Sequence, residues 1–260
     1  MFRVVINMNV LITNDDGIYA EGLWALYRAF IKSHSVTVIA PERERSAVSH
    51  SITLHKPLRV NRVCLEGGLA GYAVSGTPAD CVKLGILDIL GYKPDVVLSG
   101  INPGANIGIN LNYSGTVAAA REASLYGISA IAISIQGYAS KYLNDAAVFG
   151  EKITRKIAEK GLPSGVFLNV NFPDISLEET AGIKISRQDL SVFPEFFEKR
   201  IDPRNRTYYW QGISTNLSEY SPETDGAALS DKYISITPIK CDMTDYNMIE
   251  ELKAWDIDQI

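Results

Sequence analysis

The sequence predicts an α/β fold: a Rossmann-like, doubly wound and mostly parallel sheet with a β-rich C-terminal appendage. The main observation is that short β-branched runs alternate with helical patterns about a dozen residues long, as parallel sheets with crossover helices require. The predicted strands lie at residues 11–13, 36–40, 95–99, 130–134 and 166–170. The predicted helices lie at residues 21–32, 78–90, 116–126 and 144–160.

Two segments depart from this alternation. Residues 51–64 alternate apolar and polar side chains, which predicts a hairpin over the edge of the sheet. After Pro173 the pattern becomes irregular, with strands predicted at 206–210 and 233–237 and an amphipathic helix at 244–255. We therefore expect a catalytic core over residues 1–173. An appendage over 174–260, with its own antiparallel pairing and a C-terminal helix, would complete one structural domain.

Composition narrows the class of function. The chain has 260 residues, 25 Lys and Arg against 30 Asp and Glu, and a net charge of −5. Because no dense basic run appears, we expect no binding to a nucleic acid polymer. The three cysteines form no C-x-x-C pair, and no apolar run has the roughly 18 residues of a membrane helix. These features predict a cytoplasmic protein that does not bind membranes.

Polar side chains follow three of the predicted strands. Asp15 and Asp16 follow the first strand, Ser46 follows the second, and Asn102 follows the strand at 95–99. Ligands of open α/β sheets bind beyond the carboxyl ends of the strands, and such oxygen donors favour Mg²⁺, Mn²⁺ or Ca²⁺ over Zn²⁺. Alone, Asp15-Asp16-Gly17 would more often be a turn or a helix cap. The convergence of three loops favours a metal site.

A second feature lies at residues 110–120, where Ser114, Gly115 and Thr116 begin a predicted helix. Free N–H groups at a helix N-terminus, together with two hydroxyls, form an anion site suited to phosphate. The alternative is that Ser114 simply caps the helix. The sequence contains neither a P-loop nor a dinucleotide-binding fingerprint.

Several spaced motifs together resemble the SurE family, the survival-protein-E 5′-nucleotidases. The similarity extends from residue 8 to about residue 255. The motifs that carry it lie at residues 10–17, 40–47, 75–80, 99–104, 113–117, 168–173, 202–210 and 234–238. This resemblance implies a Rossmann-like core and a metal-dependent phosphatase acting on nucleoside monophosphates.

The resemblance also implies roles for particular residues. One divalent ion per subunit, Mg²⁺ or Mn²⁺, would be held by Asp15, Asp16, Ser46 and Asn102. The substrate phosphate would contact Asn106, Ser114, Gly115 and Thr116. Exchange of a C-terminal hairpin would make a homodimer or homotetramer. The sequence departs from the family pattern at Asn110, where Asp is common, and residues 1–7 precede the usual start.

Three hypotheses about the chemistry remain open at this point. In the first, Asp15 or Asp16 orients or deprotonates a water that attacks the phosphate, and a cation neutralises the phosphoryl charge. In the second, Asp15 is a covalent nucleophile, although the usual Asp-x-Asp spacing is absent. In the third, the protein is a phosphate- or nucleotide-binding sensor that does not hydrolyse its ligand.

Overall fold

The computed structural model describes residues 7–65, 68–191, 195–213 and 220–255. The strands are β1 (Asn9–Thr13), β2 (Ser35–Pro41), β3 (Val60–Cys64), β4 (Ala70–Val74), β5 (Val96–Pro103), β6 (Ser129–Ile135), β7 (Val166–Phe172), β8 (Ile183–Ile185), β9 (Glu195–Ile201), β10 (Thr207–Ile213) and β11 (Ile234–Lys240). The α-helices are α1 (Glu21–Phe30), α2 (Pro78–Leu84), α3 (Gly115–Leu125), α4 (Leu143–Lys160), α5 (Asp225–Ser230) and α6 (Tyr246–Lys253).

Nine strands form one sheet in the order β3-β4-β2-β1-β5-β6-β7-β11-β8. From β4 to β7 all neighbours are parallel, which confirms the predicted fold class. After β1, the chain adds β2 on one side of β1. It later adds β5 on the other side of β1. The strand order therefore reverses between β1 and β5, and this is where ligands bind in doubly wound sheets.

The sheet is covered by helices on both faces, and β1 shows why its sequence is an uninterrupted apolar run. Val10 and Ile12 belong to the core layer that contains residues of α1 and α4, whereas Leu11 belongs to the layer with residues of α2 and α3. Successive side chains of a strand point to opposite faces. A central strand covered on both faces must therefore be apolar at every position.

Two sequence predictions about strand pairing are wrong. The predicted hairpin at 51–64 is instead formed by β3 and β4, and residues 51–59 form no strand. The strand predicted at 233–237 is β11, which pairs antiparallel with β7 in the main sheet and parallel with β8. Only β9 and β10, among the described strands after Pro173, form a separate antiparallel pair. The sequence analysis did not predict α5.

The first helix packs against β5 through a glycine. A Cβ atom placed on Gly22 would lie 2.1 Å from the carbonyl oxygen of Ile101, one residue before Asn102. A Cβ on Gly150 of α4 would instead meet a movable side-chain atom, Cδ1 of Ile133, at 2.8 Å. The close approach at Gly22 therefore fixes α1 against the strand end that carries Asn102.

We expect Gly22→Ala to lower the free energy of unfolding by about 2 kcal/mol, because backbone must shift to admit the methyl group. Gly150→Ala is the matched control. The side chain of Ile133 can rotate away from the new methyl group, and alanine is about 0.5–1 kcal/mol more favourable than glycine inside a helix. Urea unfolding measures both variants. Equal loss of stability in the two variants would contradict this account of the α1–β5 contact.

Candidate metal and phosphate site

The ends of β1, β2 and β5 surround a cleft of about 610 Å³. Its lining includes five of the residues predicted from the sequence, namely Asp15, Ser46, Asn102, Asn106 and Ser114. Asp16 and Gly115 adjoin lining residues in the chain but are not themselves part of the lining. The predicted convergence of three loops on one rim is thus present in the fold.

Asp15 is buried between the end of β1 and the start of α3, with 4% of its surface exposed. The hydroxyl of Thr116 donates a hydrogen bond to Asp15 Oδ1 at 2.5 Å. A Cβ on Gly115 would lie 2.8 Å from Cβ of Asp15, so only glycine permits this approach. Burial raises the pKa of Asp15, and the hydrogen bond from Thr116 partly opposes that rise.

Asp16 is less buried but lacks compensation. Its Oδ2 atom is buried and has no hydrogen-bond partner among the described residues. Burial, together with the neighbouring charges of Asp15 and Glu44, raises the pKa of Asp16 to about 7. An ionised carboxylate in this position needs a positive charge beside it.

Ser46 and Asn102 complete the predicted ligand set with neutral oxygens. The hydroxyl of Ser46 donates to Glu44 Oε1 at 2.5 Å, which leaves the lone pairs of Ser46 Oγ as acceptors. The Nδ2 group of Asn102 donates to the carbonyl oxygen of Gly104 at 2.7 Å. Because that amide nitrogen is engaged within its own loop, the Oδ1 oxygen is the atom of Asn102 available to a ligand.

These donors fit a hard divalent cation. No cluster of three or more His, Cys, Asp and Glu side chains suited to a metal occurs within the described parts of the chain. A cation here would therefore depend on two carboxylates plus the Ser46 and Asn102 oxygens. The unpartnered Oδ2 of Asp16 and the raised pKa values of both aspartates fit residues that would hold a cation.

The start of α3 forms the other wall of the cleft. Ser114 is the N-cap residue, and its Oγ accepts a hydrogen bond from the amide of Val117 at 3.1 Å. Ser114 therefore caps the helix, as the alternative predicted, and it also lines the cleft, so its role as a phosphate contact stays a prediction. Thr116, predicted as a phosphate contact, is fully buried and directs its hydroxyl to Asp15. It supports the carboxylate and lies outside the lining of the cleft.

Among the lining residues that were not predicted as site residues, five have large polar or aromatic side chains, namely Asn110, Tyr113, Tyr138, Glu195 and Gln211. Tyr113 is 57% exposed and Tyr138 is 89% exposed, which is unusual for aromatic side chains. Glu195 and Gln211 belong to β9 and β10, so the hairpin reaches the mouth of the cleft. No local sequence pattern signals this approach, because it depends on how the hairpin folds back.

A doubly wound sheet with buried carboxylates and a helix N-terminus at its switch point defines a class of Rossmann-like proteins that bind cations and anions. Comparison with known proteins gives the particular family. The sequence model of the family described as "Survival protein SurE" matches residues 10–194. The chain belongs to the SurE family.

Individual relatives cover almost the whole chain. A protein named 5′-nucleotidase SurE from Desulfatibacillum aliphaticivorans is 53% identical over 97% of this chain and 100% of its own length. A protein of the same name from Syntrophobacter fumaroxidans is 46% identical over 96% of this chain and 100% of its own. The crystal structure of the SurE protein from Aquifex aeolicus superposes with a TM-score of 0.84 at 37% identity, covering 95% of this chain and 98% of that one.

We expect Thr116→Val to weaken Mn²⁺ binding about tenfold, because outer partners of metal-binding carboxylates set their orientation and charge. The substitution removes the hydroxyl that holds Asp15 and leaves a side chain of similar shape. Thr116→Ser keeps the hydroxyl and is the control. Calorimetric titration with Mn²⁺ measures the affinity, and equal affinity in all three proteins would rule out this role for Thr116.

The raised pKa of Asp16 predicts a pH dependence of stability in the metal-free protein. Its folded-state pKa of about 7 exceeds the ordinary value of 3.8, so the folded state binds more protons between these values. The stability from Asp16 is therefore fully present below pH 3.8 and is lost as pH rises through 7. Urea unfolding should show Asp16→Asn gaining stability relative to the unsubstituted protein between pH 5 and pH 8. A stability difference that does not change with pH would contradict the prediction.

Proposed function

We propose that this protein is a divalent-metal-dependent phosphatase that hydrolyses nucleoside monophosphates, a phosphoric monoester hydrolase of the 5′-nucleotidase type. The observation that carries the proposal is that two adjacent carboxylates with raised pKa values, Asp15 and Asp16, face a helix N-terminus at one cleft. The first wall suits a cation and the second suits a phosphate. The names of the SurE relatives support the same activity.

We propose that Asp15, Asp16, Ser46 and Asn102 hold the metal ion, which would be Mg²⁺ or Mn²⁺. When bound, the ion supplies positive charge to the phosphoryl oxygens and acidifies water. The hydroxyl of Thr116 keeps Asp15 oriented and favours its ionised form. The Glu44 carboxylate orients the hydroxyl of Ser46, so that its oxygen lone pairs are presented to the cation.

The two aspartates have different surroundings and, in this proposal, different tasks. Asp15 lines the cleft where the substrate would lie, so we assign it the orientation of the attacking water. Asp16 has the unpartnered Oδ2 atom, so its main task is to hold the cation. On the other wall, Asn106, Ser114 and the first turn of α3, which includes Gly115 and Thr116, would bind the phosphate oxygens. In this arrangement Thr116 contributes through its backbone and its hold on Asp15.

The rest of the cleft suits a nucleoside. Its volume of about 610 Å³ exceeds what a phosphate group occupies, and the exposed rings of Tyr113 and Tyr138 line it. Aromatic faces stack on nucleobases at about 1–3 kcal/mol per base. The polar side chains of Glu195 and Gln211 could hydrogen-bond to the base or the ribose. These features support a mononucleotide substrate.

We also propose a homodimer or homotetramer that forms through the C-terminal region. The hairpin of β9 and β10 exposes an unusual set of aromatic side chains, namely Phe196, Phe197, Tyr208, Tyr209 and Trp210. Apolar patches of this kind mark protein interfaces. The family resemblance, which implies exchange of a C-terminal hairpin, supports the same region.

We propose a cytoplasmic location for the protein. Its three cysteines are free thiols, as is usual in reducing compartments. None of the helices in the described ranges is long and apolar enough to span a membrane.

Phosphate release across a panel of mononucleotides, each with Mg²⁺, Mn²⁺ or a chelator, tests the proposed function. We expect metal-dependent release that the chelator abolishes. Asp16→Asn should lower turnover about a hundredfold or more, because it removes a charged group at the phosphoryl centre. Asp88→Asn, at an exposed position of the surface, is the control. Absence of release with every nucleotide and metal would contradict the proposal and favour a sensor.

A further inference from the structure

The segment between β5 and α3 is held from the β7 side by asparagines. The amide nitrogen of Asn106 donates to Asn171 Oδ1 at 2.8 Å. Its carbonyl oxygen accepts hydrogen bonds from Asn169 Nδ2 at 2.8 Å and from Asn171 Nδ2 at 2.9 Å. Asn169 and Asn171 are fully buried in β7. Both backbone groups of Asn106 are thus fixed by side chains of the rigid sheet.

Two residues further along, Gly108 is held from a different direction. Its amide donates to Asp225 Oδ2 at 2.9 Å, and its carbonyl oxygen accepts from Gln188 Nε2 at 2.8 Å. Gly108 has φ +59°, and a Cβ atom there would lie 3.2 Å from the carbonyl oxygen of Asp189. The backbone is therefore clamped in a conformation and a space that suit glycine.

The carboxylate that binds the Gly108 amide belongs to a pair of buried aspartates. Asp225 Oδ1 accepts a hydrogen bond from the amide of Asp189 at 3.1 Å, and Asp189 Oδ2 accepts one from the hydroxyl of Thr224 at 3.0 Å. Asp189 precedes β9 in the chain, Asp225 is the first residue of α5, and both are at most 1% exposed. We call these two residues the aspartate latch. The latch joins the segment around residue 189 to the start of α5 and holds both beside Gly108.

Burial of two carboxylates is costly, so their hydrogen bonds must be numerous and well directed. Beyond the bonds above, Asp225 accepts from the amide of Gly226 at 2.9 Å, and Asp189 accepts from the amide of Ser191 at 2.7 Å. Most of these donors are backbone amides. Their positions, and hence the path of the chain at Gly108, are determined by the latch.

We propose that Asp225 is a positioning residue for the phosphate-binding segment, which it couples to Asp189 and to the start of α5. The inference rests on the proposed function, because it takes Asn106 and the start of α3 as phosphate contacts. Only a short connection joins Gly108 to Ser114, so a displacement of Gly108 displaces both Asn106 and Ser114. The latch contains no proposed metal ligand, and cation binding should therefore depend on it much less than phosphate binding does.

Calorimetric titration of the Mn²⁺-loaded full-length protein with inorganic phosphate tests the proposal without requiring turnover. Asp225→Asn replaces an acceptor by a donor at one of its two positions, so it cannot keep every bond. We expect phosphate affinity to fall about tenfold, since small misplacements in a binding site have effects of this order. The KM for a mononucleotide should rise more than kcat falls, and the affinity for Mn²⁺ alone should fall much less than the affinity for phosphate.

Two further variants make the test decisive. Asp231→Asn, in the exposed ion pair of Asp231 with Lys184, is the matched control and should change nothing. Gln188→Leu removes the second hydrogen bond to Gly108. It replaces Asp225→Asn in the test if the Asp225→Asn protein does not fold. We expect it to weaken phosphate binding in the same direction, by about threefold, because the Asp225 contact to Gly108 remains.

Unchanged phosphate affinity in a folded latch variant would overturn the proposal. An equal loss of Mn²⁺ and phosphate affinity would also overturn it, because that result indicates general loosening. If the unsubstituted protein does not bind phosphate, the segment is not a phosphate-binding one, and the proposal for Asp225 is overturned as well. A protein that binds phosphate with this dependence on Asp225 but releases none from any nucleotide would contradict only the proposed function.

Discussion

The site depends on the burial of Asp15 against the first turn of α3. A carboxylate with only 4% exposure is tolerated there because Thr116 donates to it and Gly115 allows the backbone to approach. This contact joins the end of β1, which carries the proposed cation ligands, to the helix whose start is proposed to bind phosphate. It links the two halves of the proposed site directly, beside the packing of α3 on the sheet.

Much of the fold could be predicted from the sequence because parallel sheets impose a simple rule. Side chains that follow β1, β2 and β5 must meet at one edge of the sheet, so Asp15, Asp16, Ser46 and Asn102 could be grouped into one candidate site. The apolar runs of the central strands are equally direct, since burial on both faces leaves no alternation. Whether Asp15-Asp16-Gly17 is only a turn or part of a metal site depends on its tertiary surroundings, and the unpartnered Oδ2 atom of Asp16 supports the proposed metal site.

The features that could not be predicted from the sequence depend on contacts between distant segments of the chain. Thr116 has the features of a phosphate-contacting residue at a helix start, yet its hydroxyl meets Asp15, from which it is 101 residues away. Strand β3 was assigned to the wrong hairpin because alternation predicts a strand but not its partner. Glu195 and Gln211 lie in the hairpin, and only its return toward the cleft makes them lining residues. Asp225 begins α5, and only its tertiary contact with Gly108 relates it to the site.

The central position of β1 has a consequence for how the chain acquires its shape. Strand β1 is the first in the sequence, but Val10 pairs with Val96 on one of its sides. During synthesis the carboxylates of Asp15 and Asp16 emerge early and remain hydrated until β5 and α3 have left the ribosome. Their water is removed only when these segments close over them. The surroundings of the strand made first therefore depend on contacts such as that of Asp15 with Thr116, 101 residues further along the chain, so folding around β1 depends on long-range contacts.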